Sequence, residues 1–477
     1  MLKTKLYKYQ SEGIRVLRER DGIALLADEV GLGKTLSSLY YCWRYLPTVP
    51  PGPIVVVVPA HLKTVWQRQA AQHLEIRAEA LFHEAVPPDR LPPLDLNSVL
   101  VINYDILTPD DWRPNTPPPE RSWVRWLAAL KPRMLICDEA HAVSNSESQR
   151  SRAVRWLARR CPRRLLLTGT PMANKPGDLW ALLNILWPEK FASKFEFCSE
   201  FATPKKVYGR WTYPGAKNLP ELHRLLTEGC GMVRRRKCDV LKDLPAISYD
   251  VVPLDCDLRD YRRAEDDLGK WMAEAAPKLT ERAREKAELA KLTALIREAT
   301  ESKLDKAVRW VKDFLDGSDG KLLLGAIHYR VTGTVTKALG GDCVLVDGRM
   351  SAKEKDAAFD RFNADPACRV LVGNIHAAGT GWSCTSTSDC AFLELPWRCS
   401  DVTQFAGRVH GVGRGLAGCP AQIRFLVAEG TIEGAMCATL QKKATWASNA
   451  IDGVDDPDGL DLKDQLLAHV AAGRESP

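Results

Sequence analysis

Five consecutive β-branched residues, Ile54 to Val58, form the segment that most restricts how this chain can fold. A half-exposed strand alternates apolar and polar residues, whereas this run is apolar at every position and is closed by Pro59. It therefore predicts a strand that is buried on both faces of a parallel sheet. Similar runs separated by helical stretches lie at residues 23–26, 99–102, 134–137 and 164–167. The alternation predicts an α/β unit over residues 1–190.

The same alternation returns near residue 321, with apolar runs such as Cys343–Val346, and predicts a second α/β unit over residues 318–450. Strand runs largely vanish over residues 191–317, and the stretch Arg282–Arg297 is rich in helix-forming residues. We therefore expect a helical insertion and linker between the two units. Residues 451–477 open with six Asp against one Lys, which predicts a solvated acidic tail.

Composition indicates the cellular environment of the protein more clearly than it indicates a binding partner. Lys and Arg number 67 against 60 Asp and Glu, and the resulting net charge of +7 permits a nucleic-acid partner without requiring one. The 14 cysteines show no metal-ligand spacing, and many lie in apolar runs, as expected of buried thiols in a reducing compartment. Residues 1–10 lack the apolar core of a signal peptide, and no apolar run approaches the roughly 20 residues of a membrane span. We expect a cytoplasmic protein.

A glycine-rich turn follows the first apolar run, in the segment Leu26-Ala27-Asp28-Glu29-Val30-Gly31-Leu32-Gly33-Lys34-Thr35. Backbone N–H groups of such a loop can cradle phosphates, with Lys34 reaching the β and γ phosphates and Thr35 binding Mg²⁺. A strict phosphate-loop pattern has glycine where this chain has Asp28. On this segment alone, an incidental glycine turn remains the alternative.

An acidic pair ends another apolar run, in Leu135-Ile136-Cys137-Asp138-Glu139-Ala140-His141. Ligands of α/β units bind at the carboxyl ends of the strands. Asp138 is suited to hold Mg²⁺, and Glu139 to polarise the water that attacks the γ-phosphate. Such a pair alone is usually a solvated cap, but together with the Lys34 loop it indicates ATP hydrolysis.

These segments resemble the motifs of superfamily 2 helicase-type ATPases, and within them the SWI/SNF-like DNA translocases. In that family the phosphate loop has the sequence Ala-Asp-Glu-x-Gly-Leu-Gly-Lys-Thr, so an aspartate at the position of Asp28 agrees with the family pattern. Further matches follow in order over about residues 7–443, namely Tyr9-Gln10-x-x-Gly13, residues 58–60, 102–105, 167–171 and 377–381, and Gln404-x-x-Gly407-Arg408-Val409-His410. The resemblance implies two RecA-like parallel-sheet lobes of the P-loop type, with ATP and Mg²⁺ in the cleft between them.

The resemblance also implies a role for each matching residue. Nucleotide binding falls to Gln10, Asp28, Gly31, Leu32, Gly33, Lys34, Thr35, Gly381 and Arg408. Metal binding falls to Thr35, Asp138 and Glu139, and catalysis to Lys34, Glu139, Gln404 and Arg408. Coupling of hydrolysis to DNA falls to His141, Thr168, Gly169 and Thr170.

Residues 209–223 and 234–245 resemble the annealing helicases of the HARP type more closely. The second segment contains the densest basic cluster of the chain, Arg234-Arg235-Arg236-Lys237. We expect this cluster to lie at the hinge and face DNA phosphates, the alternative being a solvated helix face. The expected partner is duplex or forked DNA, bound largely without sequence preference by a monomer.

One position departs from the family pattern. Its sixth motif usually carries two arginines, and Gly411 stands where the second is expected after Arg408. An arginine finger is worth about 10³–10⁵ in rate. Either Arg408 suffices, with Arg414 contributing, or turnover is weakened, or the alignment is shifted. The sequence thus predicts an ATP-driven DNA translocase or re-annealing motor, with a weakly hydrolysing ATP-binding DNA clamp and an RNA helicase as alternatives.

Overall fold

The computed structural model describes residues 3–46, 52–74, 78–80, 98–110, 112–113, 116–172, 176–207, 210–379, 381–411 and 418–440, together with Leu466 and Val470. The acidic tail expected over residues 451–477 therefore lies outside the described residues, apart from those two positions. The described residues form two compact units. Unit 1 contains those up to Lys205 and from Tyr213 to Lys242, and unit 2 those from Lys206 to Thr212 and from Asp243 onward.

Helices and strands alternate along the first half of the chain. They are α1 (Lys8–Glu19), β1 (Ala24–Leu26), α2 (Lys34–Tyr45), β2 (Ile54–Val58), α3 (Lys63–Leu74), β3 (Ala78–Ala80), β4 (Val99–Asn103), α4 (Tyr104–Leu107), α5 (Trp123–Ala129), β5 (Met134–Cys137), α6 (Gln149–Ala158), β6 (Arg163–Leu167), α7 (Pro176–Leu186), α8 (Lys194–Phe201), the hairpin strands β7 (Ala202–Val207) and β8 (Arg210–Ala216), α9 (Leu219–Arg224) and α10 (Lys237–Val240).

The sheet of unit 1 has the strand order β1-β6-β5-β2-β4-β3, and its neighbouring strands are parallel. Every residue of β2 is buried, as the apolar run predicts, and so is every residue of β4 and β5. Because the strands are parallel, their carboxyl ends lie at one edge of the sheet, where the loops after β1, β5 and β6 begin.

Unit 2 repeats this architecture. Its elements are β9 (Ile247–Leu254), α11 (Arg259–Glu274), α12 (Glu281–Gly317), β10 (Leu322–Ala326), α13 (Tyr329–Leu339), β11 (Cys343–Val346), α14 (Ala352–Ala364), β12 (Val370–Asn374), α15 (Ile375–Ala378), β13 (Asp389–Phe392), α16 (Cys399–Ala406), β14 (Ala421–Ala428) and a helix over residues 432–440. The strand order is β11-β12-β10-β13-β14-β9, again parallel throughout. Two RecA-like lobes, each with a six-stranded parallel sheet, and a long helix, α12, between β9 and β10 in sequence confirm the predicted fold class.

The predicted insertion over residues 191–317 is not purely helical. It contains the hairpin β7–β8, and β9 joins the second sheet as an edge strand beside β14. Sequence patterning missed β9 because its middle residues are exposed and it contains Pro253, which is tolerated at a sheet edge. Part of the insertion, Tyr213–Lys242, packs with unit 1.

The 14 cysteines are free thiols, and 10 of them are buried, as the scattered apolar context predicts. In the described part of the chain, no helix is both long and apolar enough to cross a membrane.

Candidate nucleotide-binding site

The loop between β1 and α2 depends on two glycines. Gly31 and Gly33 have φ angles of 96° and 77°, a region that residues with side chains rarely adopt. A Cβ atom on Gly33 would also lie only 2.5 Å from Nε2 of Gln10. Glycine at position 33 is therefore required both by backbone conformation and by the close approach of α1.

Helix α1 is attached to this loop by two side chains. The Tyr9 hydroxyl and the Gln10 amide both donate to the carbonyl of Leu32, at 3.2 and 3.3 Å. The Gln10 Oε1 atom accepts from the Tyr7 backbone N–H at 3.0 Å. These bonds place Gln10, one of the residues expected to bind nucleotide, directly against the phosphate loop.

Lys34 is held inside the loop that it follows. Its Nζ donates to the backbone carbonyls of Asp28, at 2.7 Å, and Glu29, at 3.4 Å. Burial lowers the pKa of the ammonium group, and the negative charge of Glu139 is the largest opposing influence. The loop is thus closed around a partly buried cation that is attracted to the acidic pair.

Asp138 lies at the carboxyl end of β5 and is fixed by three hydrogen bonds. Its Oδ2 accepts from Nε1 of Trp66 at 2.8 Å, and its Oδ1 accepts from the Glu139 N–H at 2.9 Å. The Tyr104 hydroxyl donates to its backbone carbonyl at 2.8 Å. Burial, and then the charge of Glu139, raise the pKa of this carboxyl group to about 6.

Glu139 has a left-handed backbone, with φ at 48°. This conformation is unfavourable for a residue with a side chain and tends to occur at functional sites. Its Oε2 lies 3.3 Å from Nδ1 of His141. After β6, the Thr170 N–H donates to the Thr168 hydroxyl at 3.1 Å, and a Cβ atom on Gly169 would lie 3.8 Å from Nζ of Lys34. The loops after β1, β5 and β6 therefore converge on Lys34.

The basic cluster Arg234–Lys237, expected to face DNA phosphates, also contacts this loop. Nε and Nη2 of Arg235 donate to the Asp28 carboxylate at 2.8 and 2.5 Å. Arg234 donates to two backbone carbonyls of unit 1, and the Lys237 side chain is buried near Glu29. Arg236 is about half exposed and pairs with Asp239.

The sequence-predicted residues of unit 2 lie around α16. Gln404 and Arg408 are buried. The Arg408 guanidinium donates to the carbonyls of Gln404, at 3.1 Å, and Trp382, at 2.6 Å. Gly381 has a left-handed φ of 89°. Arg414, the proposed substitute for the second arginine, lies outside the described residues.

Gly411 itself has a φ of 143°. An arginine would rarely adopt this backbone, so glycine at position 411 suits the local conformation.

Trp66, Tyr104 and Arg235 act on the site through other residues, and sequence reasoning assigned none of these contacts. Trp66 is separated from Asp138 by 72 residues and Arg235 from Asp28 by 207. The one available signal was the position of Tyr104 and Arg235 inside the family-like segments 102–105 and 234–245, which indicates importance but no partner.

Two family descriptions match the chain, the SNF2-related domain over residues 9–264 and the helicase conserved C-terminal domain over residues 309–413. Among curated proteins, the mouse DNA annealing helicase and endonuclease ZRANB3 is 27% identical over 95% of this chain and 41% of its own length. The Xenopus tropicalis SWI/SNF-related matrix-associated actin-dependent regulator of chromatin subfamily A-like protein 1 is 27% identical over 93% of this chain and 44% of its own length. The chain thus spans less than half the length of these relatives.

Among solved structures, the Sulfolobus solfataricus SWI2/SNF2 ATPase core in complex with dsDNA is similar, with 21% identity and a TM-score of 0.41 over 95% of this chain and 94% of that one.

Proposed function

The chain belongs to the SNF2-related ATPases of helicase superfamily 2, and on that premise we propose that it couples ATP hydrolysis to translocation on DNA or to DNA re-annealing. The observation that carries the proposal is the convergence of Lys34, Asp138 and Glu139 in unit 1. A partly buried cation, a fixed carboxylate and a second carboxylate on a left-handed backbone are groups that phosphoryl transfer to water uses.

The loop chemistry fits ATP. The left-handed backbone at Gly31 and Gly33 is one that glycine-rich phosphate-binding turns use, and Lys34 would exchange its carbonyl partners for phosphate oxygens. Gln10 would contact adenine, and Asp28, Gly31, Leu32 and Gly33 would form the loop. Gly381, Gln404 and Arg408 are proposed to act on the nucleotide from unit 2.

The donor set also fits Mg²⁺. Among the described residues, no three His, Cys, Asp or Glu side chains form a metal-binding group. Mg²⁺ commonly takes only one or two carboxylates together with substrate phosphates. Thr35 and Asp138, with Glu139 beside them, would hold the ion, which when bound neutralises charge on the β and γ phosphates. Glu139 would accept a proton from the attacking water, with His141 beside it.

DNA is proposed as the partner because two similar proteins are named a DNA annealing helicase and a SWI/SNF-related regulator of chromatin. Binding would be carried by phosphate contacts and would weaken as salt rises. Thr168, Gly169 and Thr170, which lie next to Lys34, are the residues proposed to link hydrolysis to DNA.

The test is ATPase activity of the whole chain with duplex, forked, gapped and single-stranded DNA and with duplex RNA. We expect duplex or forked DNA to stimulate most. Stronger stimulation by duplex RNA would contradict the choice of DNA and favour an RNA helicase.

A second candidate, a weakly hydrolysing ATP-dependent DNA clamp, is favoured by one observation in unit 2. Arg408 is engaged by backbone carbonyls, and Gly411 supplies no second guanidinium. The same assay distinguishes this function. A clamp would bind duplex DNA more tightly with ATP present while its ATPase rate stays unstimulated.

A further inference from the structure

We propose that residues 233–237, here called the brace, hold the phosphate loop in its nucleotide-binding shape, and that Arg235 is the positioning residue for ATP. This inference rests on the proposed ATPase function. The brace would set the affinity of the protein for ATP. The brace lies about two hundred residues after the loop in sequence, with 207 positions between Asp28 and Arg235.

The brace runs beside β1 and continues along the loop. Val233 forms a parallel bridge with Leu26. Its N–H donates to the Leu25 carbonyl at 2.9 Å, and its carbonyl accepts from the Ala27 N–H at 2.7 Å. Beyond the end of β1, the Glu29 N–H donates to the Arg235 carbonyl at 3.0 Å. The brace therefore fixes the backbone of the loop at residues whose carbonyls also receive the Lys34 ammonium.

The strongest contact is the pair formed by Arg235 and Asp28. Two parallel N–H···O bonds join the guanidinium to the carboxylate, and the two side chains are only 14% and 2% exposed. A buried carboxylate is costly unless it is paired and hydrogen-bonded. Asp28, at the position where the strict phosphate loop has glycine, therefore needs Arg235 to keep this loop conformation. We assign Asp28 to shaping the loop.

Helix α1 is built to admit the guanidinium. A Cβ atom on Gly13 would lie 2.5 Å from Nη2 of Arg235, so a side chain at position 13 would displace the guanidinium from this position. The Arg235 guanidinium also lies 5.4 Å from the centre of the Tyr9 ring, within cation–π range. Tyr9 in turn bonds the Leu32 carbonyl of the loop. Arg235 thus packs against α1 and the loop at once.

The neighbouring brace residues extend the same attachment. Nη1 of Arg234 donates to the carbonyl of Ala27, at 3.0 Å, and to that of Gly169, at 3.3 Å, so it joins the loops after β1 and β6. The Lys237 N–H donates to the Glu29 carboxylate at 2.7 Å. Each of these contacts fixes a group adjacent to the proposed phosphate site.

The test compares Arg235→Gln with wild type in the whole chain, measuring KM and kcat for ATP and the direct binding of a fluorescent ATP analogue. We expect KM and the analogue Kd to rise about tenfold or more, because the variant leaves the buried Asp28 carboxylate without its cation. A tenfold rise corresponds to ~1.4 kcal/mol, which is less than the cost of leaving a buried carboxylate unpaired. The double variant Asp28→Asn with Arg235→Gln removes the unpaired charge, and we expect it to recover to within about threefold of wild type.

The matched control is Arg163→Gln. Arg163 forms the same two-pronged pair with Asp21, at 3.0 and 3.1 Å, at the start of β6 and away from the loop. We expect this variant to keep the wild-type KM. Arg235→Lys keeps the positive charge but cannot form both hydrogen bonds to the Asp28 carboxylate. We expect a smaller rise in KM for this variant, and it supplies the test if Arg235→Gln does not fold.

Unchanged KM and analogue affinity in folded Arg235→Gln would overturn the inference. Weakened binding to duplex DNA with unchanged KM would overturn it too and would assign Arg235 to DNA. Absence of ATP hydrolysis by wild type would instead reject the proposed function. Analogue binding in wild type and variant would still decide whether the brace shapes a nucleotide site.

Discussion

Asp138 combines burial with a proposed role in Mg²⁺ binding that requires it to be charged. Its pKa is raised to about 6, chiefly by burial and then by Glu139, against the lowering effect of the Trp66 hydrogen bond. Below that pH the carboxyl is protonated and cannot bind Mg²⁺, so we expect ATPase activity to fall as the pH drops through about 6. Folding raises the pKa of Asp138, so the protonated carboxyl favours the folded state. This contribution to the free energy of unfolding is lost as the pH rises through about 6.

Replacing Trp66 with Phe tests this account of the site. The change removes the Nε1–H donor to Asp138, so the pKa of Asp138 should rise further and the acid limb of the kcat/KM profile should move to higher pH. At pH near 6 we expect a loss of about tenfold, the scale of one hydrogen bond to a charged group, and a smaller loss at pH 8.5.

Trp112→Phe is the matched control for that measurement, because the Trp112 indole is buried and donates to the neutral carbonyl of Thr116. It should leave the pH profile in place. An unshifted profile for Trp66→Phe would show that its hydrogen bond does not tune Asp138.

Sequence predicted the groups that would touch nucleotide and missed the groups that hold them. Lys34, Asp138 and Glu139 lie in local patterns with a chemical reason for their spacing. Trp66 and Arg235 act across 72 and 207 residues, and no local pattern encodes which buried donor meets which carboxylate. The basic cluster shows the same limit, since its charge is visible in the sequence and its acidic partners in unit 1, Asp28 and Glu29, are not.

Among elements, strands buried on both faces were the easiest to predict. Every residue of β2 is buried, and an uninterrupted apolar run is the expected sequence of such a strand. The edge strand β9 has exposed residues in its middle, and its pairing to β14 spans a distant part of the chain, so nothing local distinguishes it from a loop. Helix α12 runs over Glu281–Gly317, well beyond the helix-rich stretch Arg282–Arg297 that sequence composition identified.

Helix α12 is fastened to unit 2 by a buried ion pair. The Lys303 side chain is fully buried, and its Nζ donates to both carboxylate oxygens of Glu433 at 2.7 Å and to the Leu426 carbonyl at 2.5 Å. The Glu433 carboxylate also accepts from the Ala428 N–H at 2.9 Å. This network joins α12, the end of β14 and the helix over residues 432–440.

We predict that Lys303→Met destabilises unit 2 by ~3–5 kcal/mol, because it leaves the Glu433 carboxylate buried without its cation. Urea unfolding followed by tryptophan fluorescence measures the effect. Adding Glu433→Leu should recover much of the loss, since an apolar pair carries no unpaired charge. The exposed Lys306 on the same helix provides the control, and Lys306→Met should change stability by less than ~0.5 kcal/mol. Equal losses in the two single variants would contradict a structural role for the pair.

At the scale of the whole molecule, net charge is a poor guide to the partner. The chain carries a mild +7, and its densest basic cluster is largely paired inside unit 1 with Asp28, Glu29 and backbone carbonyls. The two α/β units were predictable because each contains several continuously apolar strand segments. The partners of the charged side chains depend on tertiary contacts, which local sequence does not show.

The central claim is that unit 1 hydrolyses ATP through Glu139 in response to DNA. The most direct measurement is steady-state ATPase of wild type and Glu139→Gln with and without duplex DNA, alongside binding of a fluorescent ATP analogue. We predict that DNA stimulates wild type, and that Glu139→Gln binds the analogue normally but loses about 10²–10⁴ in DNA-stimulated kcat, the range for removing a general base. A Glu139→Gln variant that hydrolyses ATP at the wild-type rate would contradict the claim.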